Sequence, residues 1–210
     1  MDKVLLCRRS PFLNFDALEF EDLDTLQFDA PLTFADGTPV PKHLQTSAAA
    51  VYNEEYLIIV FSGKYEQLRI SNSEIENSKT ENLWAQSDVY EVFVGSNAKK
   101  TKQYREFQLS PDGLFFDNAV NLAEEKSDHS WNSGMKGISF ISIERKIWRS
   151  LFLLPWKSIN AQAGDENIFL NLYRASGKFH GDELLAWSPT GFGKKCFHQP
   201  EKFGVLQFVE

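Results

Sequence analysis

The chain has 210 residues, the length of one large domain or at most two small ones. Lys and Arg number 22 against 29 Asp and Glu, and the resulting net charge of −7 argues against unspecific binding to nucleic acid or anionic membrane, since both need a basic surface. A hydrophobic share of 42% supplies a core and excludes intrinsic disorder, while eighteen Phe, six Tyr and five Trp against two Met favour β structure, where flat stiff side chains pack well.

The opening segment Met1–Arg9 has too short an apolar stretch for a secretory leader, which places the chain in the cytoplasm unless a leader has been removed. No apolar run approaches the ~20 residues of a membrane span; the longest clean one is Tyr56 to Phe61. Cys7 and Cys196, near opposite ends, exclude a disulfide scaffold and a CxxC metal site. They read as two free thiols, or as a pair if the first and last strands are neighbours.

Further along, Ala48–Tyr52 is apolar, Asn53-Glu54-Glu55 turns, and Tyr56–Phe61 returns as a strand buried on both faces. Ser71–Asn82 is a polar loop and Asp88–Val94 the next strand. Tyr104–Ser110 and Leu114–Val120 flank Pro111-Asp112-Gly113, a hairpin turn in which Pro pre-sets one φ and Gly supplies a positive one. Asn121–Ser133 reads as a second polar loop. Gly137–Ile143 and Ile147–Leu154 pair across Glu144-Arg145-Lys146, and Pro155–Ile159 holds one helical turn. Asn167–Arg174, Leu184–Ser188 and Val205–Val209 close the chain. About ten strands with few helices predict an all-β fold, a single antiparallel β-sandwich spanning residues 1–210, with a closed barrel as the second choice.

Strand alternation sorts the side chains by face. Val89, Glu91 and Phe93 share one face; so do Tyr104, Glu106 and Gln108, and Phe169, Asn171 and Tyr173, with Leu170 and Leu172 turned to the core. Glu91 is thus a carboxylate between apolar neighbours, and a buried charge is costly unless paired. Trp84 and Trp187 each sit at a strand–loop junction in polar company, as exposed indoles would. Trp148 and Trp156 read as packing residues, and Trp131 as either. An exposed indole suits sugar binding: the apolar C–H face of a pyranose stacks on it, while the rim of hydroxyls seeks polar partners.

These segments, in order from about Thr46, resemble the family 9 carbohydrate-binding modules and their stand-alone relatives. The matching stretches are Asn82-Leu83-Trp84, Asp88–Phe93, Tyr104–Gly113, Pro155-Trp156-Lys157, Leu185-Ala186-Trp187-Ser188 and Phe197–Leu206. The resemblance implies a non-catalytic β-sandwich that stacks a terminal sugar between two tryptophans, Trp84 and Trp187. It places Glu91 on a ligand-binding glutamate, Gln108 where sugar-binding members can have an arginine, and Tyr173 near a polar ligand contact; Asn171 completes the polar rim. The implied partner is a mono- or oligosaccharide, of xylan or cellulose origin. No cofactor is implied beyond a structural calcium, with Asp112, Asp117 and Asp128 as loop candidates. Three alternatives remain at this level. One is an interaction domain that kept the sandwich and lost the sugar. Another is a glycan-processing enzyme using Glu91 with Glu106. The last is a haem-binding relative with Met135 beside Lys136 as axial ligand.

Overall fold

The computed structural model describes residues 3–12, 14–71, 78–96, 102–166, 168–176, 183–191 and 197–209. Fourteen strands are described: β1 (Val4–Arg9), β2 (Ala30–Pro31), β3 (Thr33–Phe34), β4 (Thr46–Tyr52), β5 (Tyr56–Lys64), β6 (Val89–Ser96), β7 (Gln103–Leu109), β8 (Phe115–Asn121), β9 (Lys126–Asp128), β10 (Lys136–Ser142), β11 (Ile147–Pro155), β12 (Ile168–Ser176), β13 (Glu183–Ala186) and β14 (Gly204–Phe208). One short helix, α1 (Leu83–Gln86), precedes β6. The strands run in the order β10-β11-β5-β4-β1-β14-β12-β6-β7-β8-β9, with β2, β3 and β13 attached at the side. Four strands go beyond the expected set of about ten. The pairs β2 and β3 are only two residues long, β9 is fully exposed, and β1 is a short run closed by two arginines.

β1 also corrects the antiparallel expectation. It pairs in parallel with both β14 and β4, so the sheet is mixed. Parallel pairing joins segments far apart in sequence and leaves no hairpin turn to read. β1 joins the block β10-β11-β5-β4 to the block β14-β12-β6-β7-β8-β9. The two blocks curl over a shared core in which Leu57, Ile59 and Phe61 of β5 and Trp148 and Phe152 of β11 meet Tyr90 and Val92 of β6, Phe107 of β7 and Leu172 of β12. Tyr90 stacks on Phe61 with centroids 4.5 Å apart and on Trp148 at 3.8 Å. Packing of this kind contributes about 0.5–1.5 kcal/mol per aromatic pair beyond area burial.

The β4–β5 hairpin forms as expected, with the Asn53 side chain accepting the Glu55 and Tyr56 N–H groups. β5 is buried on both faces: Ile58 and Val60 lie under Phe12, Phe15, Leu18, Leu26 and Phe28 of the N-terminal segment. The β7–β8 hairpin turns at Gly113, whose φ of 79° is the left-handed value that glycine tolerates. Trp148 and Trp156 are buried in the main core, and Trp131 packs partly against it. Cys7 is a buried free thiol, and burial pushes its pKa up to about 12; Cys196 lies outside the described residues.

Trp148 fills the centre of the aromatic stack, so Trp148→Ala is expected to cost about 3–5 kcal/mol of stability. A urea melt followed by far-UV circular dichroism checks this, with the midpoint moving far to lower denaturant.

Candidate functional site

Because Tyr90 and Val92 point into the core, Val89, Glu91 and Phe93 must point to the outer face. β12 and β7 flank β6, and the register brings their outward residues alongside. Tyr173, Glu91 and Gln108 lie in one cross-strand row; Asn171, Phe93, Glu106 and Asn118 lie in the next. Four of the six residues expected at the site, Glu91, Gln108, Asn171 and Tyr173, therefore share one patch of sheet. Sequence alternation gives their face, but only the pairing order makes them neighbours.

This outer face is covered. Phe197 stacks on Tyr173 at 4.1 Å, Phe203 meets Tyr104 edge-on at 5.6 Å, and His198 lies 5.2 Å from Phe93. Ala35 and Ala186 join the same cluster. The Tyr104 hydroxyl and His198 Nδ1 share a hydrogen bond of 2.5 Å. Burial raises the Tyr104 phenol, and the Glu106 and Glu91 charges raise it further.

Beneath this cover the polar groups divide into two sets. Asn171 and Tyr173 act as anchors. Asn171 Nδ2 donates to the Tyr173 hydroxyl at 2.9 Å and to the Ser188 carbonyl at 2.8 Å, and its Oδ1 accepts from Ser188 N–H at 2.9 Å. Tyr173 in turn donates to the Phe197 carbonyl at 2.9 Å. These bonds tie the chain after β13 and the chain before β14 onto β12, in place of the ligand rim expected for the two residues. The second set is acidic. Gln108 Nε2 and Asn118 Nδ2 donate to the two oxygens of Glu106 at 2.8 and 3.1 Å. Glu91, only 4% exposed, receives no hydrogen bond among the described residues. Burial first and the Glu106 charge second push its pKa well above the ordinary carboxylate value. Glu106 and Asn118 were not among the expected site residues. Glu106 was legible as a face-mate of Gln108; Asn118, inside a run read only as a hairpin strand, had no distinguishing signal.

The two tryptophans separate. Trp84 is 48% exposed on α1, whose Leu83 packs against Val89 and Phe116 at the end of this same face. Trp187 is 2% exposed and belongs to the main core with Leu5, Leu172 and Leu206. The expected second stacking wall is therefore corrected: Trp187 is packing. The reason is strand alternation, because Ala186 opposes Tyr173 on the outer face and the next residue must turn inward. Its ring lies over Gly204, where a Cβ would collide with Cη2 and Cζ3, so only glycine admits it.

The calcium candidates do not converge. Asp112 accepts from Ser110 and Ser71, Asp117 from Lys79 and the Ser133 N–H, and Asp128 from Ser130. Among the described residues no three His, Cys, Asp or Glu side chains cluster as metal ligands. Met135 is buried in the main core. An open groove of about 820 Å³ elsewhere, near Phe15, Tyr56, Asn132 and Met135, contains none of the six residues expected at the sugar site. No described helix is long and apolar enough to cross a membrane.

No protein-family model matches this chain, and no curated protein matches it. Solved structures do. A candidate carbohydrate-binding protein from Bacteroides uniformis aligns over 100% of both chains at 19% identity and a TM-score of 0.75. A family 9 carbohydrate-binding module from Caldicellulosiruptor kristjanssonii, solved with glucose, aligns over 99% of this chain and 96% of its own at 6% identity and a TM-score of 0.60. A family 9 module from the same organism, solved with cellotriose, gives 98% and 93% coverage, 7% identity and a TM-score of 0.61. The fold is that of a family 9 module; at these identities the likeness speaks for the fold.

Because the folded chain holds the Glu91 proton more tightly than the unfolded chain, it binds more protons between the ordinary value of 4.5 and the raised pKa. Stability therefore falls as pH rises from there through the raised pKa. Glu91→Gln removes this slope, and thermal melts across the window are expected to show the variant gaining on the parent chain toward neutral pH.

Proposed function

We propose that this protein binds a saccharide without transforming it, at the outer face of β6, β7 and β12 beside α1. The observation that carries the reading is Glu91, a nearly buried carboxylate with no donor among the described residues. Hydroxyl groups of a sugar are suitable partners, and a hydrogen bond of this kind contributes about 0.5–1.5 kcal/mol net. The half-exposed Trp84 indole at the end of the same face offers the apolar platform that a pyranose ring stacks on. Support comes also from the fold it shares with family 9 modules solved with glucose and with cellotriose.

With Trp187 in the core, the stacking contribution falls to one indole. If stacking hides ~50 Å² of apolar surface, the contribution is about 1 kcal/mol. A glycosidase pair needs two carboxyl groups free to act on the scissile bond; here both oxygens of Glu106 are taken by Gln108 and Asn118, which favours a binding site.

Titration of intrinsic fluorescence with glucose, xylose, cellobiose and xylobiose tests the proposal. Trp84→Ala is expected to weaken binding roughly fivefold with little change in melting temperature. Trp187→Ala is expected to lower stability by about 3–5 kcal/mol instead. Absence of a response to all four sugars in a folded sample would favour an interaction domain that retains only the architecture.

A further inference from the structure

Glu91 and Glu106 are diagonal neighbours across β6 and β7, a spacing of about 7–8 Å that long side chains bridge. Both are buried. β7, which carries Glu106, and β12, which flanks β6 on the other side, each hold one arginine, and alternation sends both the other way. Arg105 lies with its guanidinium 4.9 Å over the Trp131 ring, and Arg174 donates to Thr46 Oγ1 at 2.9 Å and to the Lys64 carbonyl at 2.7 Å inside the sandwich. No Lys or Arg pairs with either carboxylate among the described ion pairs. The nearby imidazole, His198, has its Nδ1 engaged by the Tyr104 hydroxyl.

The surrounding amides deepen the imbalance. Gln108 and Asn118, both more than nine-tenths buried, spend their N–H groups on Glu106. Their carbonyl oxygens, Gln108 Oε1 and Asn118 Oδ1, meet no donor in the same buried layer. Glu91 has no donor among the described residues either. The floor of the site thus presents two carboxylates and two uncompensated amide oxygens, with no cation paired to them among the described residues. Such a layer is an acceptor surface, and burial makes each unpaired acceptor costly.

We infer that the group received against Glu91 is cationic, and that the ligand class is an amino sugar, whose protonated amine supplies both the missing charge and the missing donors. This rests on the saccharide reading and names its substrate class. A primary ammonium carries three N–H donors and no acceptor, the complement of this floor. A neutral hydroxyl satisfies one acceptor and leaves the charge in place.

The test is isothermal titration of the full chain with glucosamine, glucose and N-acetylglucosamine at about pH 6.5, below the range in which such amines lose their proton. Glucosamine is expected to bind roughly tenfold more tightly than either neutral sugar. In Glu91→Gln, and separately in Glu106→Gln, the ratio of glucosamine to glucose affinity is expected to fall toward one, with thermal melts showing that both variants fold. Equal affinity for all three sugars overturns the inference and leaves the saccharide reading standing. Binding of calcium alone, lost in Glu91→Gln and without any preference for glucosamine, overturns it in favour of a metal site. No binding of any sugar by the folded chain removes both the inference and the reading beneath it.

Discussion

The ring of Tyr90, held between Phe61 and Trp148, is the contact on which the rest of this structure depends. It locks β6 of one sheet block onto β5 and β11 of the other. It also sets the orientation of every residue on β6, because a side-chain period of two leaves no choice once one residue points inward. With Tyr90 inward, Glu91 is committed to the outer face, and the paired strands bring Tyr173 and Gln108 alongside it. A slip of one residue would bury the carboxylate in an aromatic core and expose the tyrosine. The hydrophobic packing of the sandwich is therefore also what positions its acidic group.

That acidic group sits in a layer built at some cost. The Phe197–Phe203 stretch is fastened over the sheet by Tyr173 and Asn171, whose hydrogen bonds are spent on backbone carbonyls and on each other. The cover excludes water from Glu91 and Glu106, and no described residue of it brings them a counter-charge. An arrangement that is unfavourable for the empty protein is what a binding site requires when the partner brings the compensating group. Glu106 is held by two amide donors, whereas Glu91 has none among the described residues.

The comparisons and the geometry speak to different levels. A shared architecture over the full length of a family 9 module accounts for the sandwich, and folds of this kind serve many functions. The separation of the two tryptophans makes the same point from inside the molecule. A motif in matching order placed Trp187 in a binding role, yet the residue's own strand register places it beneath Leu172 and over Gly204. Order along a chain reports common architecture more reliably than it reports which side chain faces a ligand.

The hairpins of β4–β5, β7–β8 and β10–β11 and the both-sided burial of β5 were legible in the sequence, because turn chemistry and alternation are local. So were the outward face of Glu91, Gln108, Asn171 and Tyr173 and the packing roles of Trp148 and Trp156. The parallel seam at β1 was not legible, since Val4–Arg9 meets partners about 40 and 200 residues away and a short run carries no mark of them. Nor was the burial of Trp187, which polar neighbours disguised and which alternation, applied from Ala186, would have revealed. The acidic layer itself belongs to the tertiary structure alone: strand order makes Glu91 and Glu106 neighbours, and the long-range cover removes the water that would otherwise have screened them.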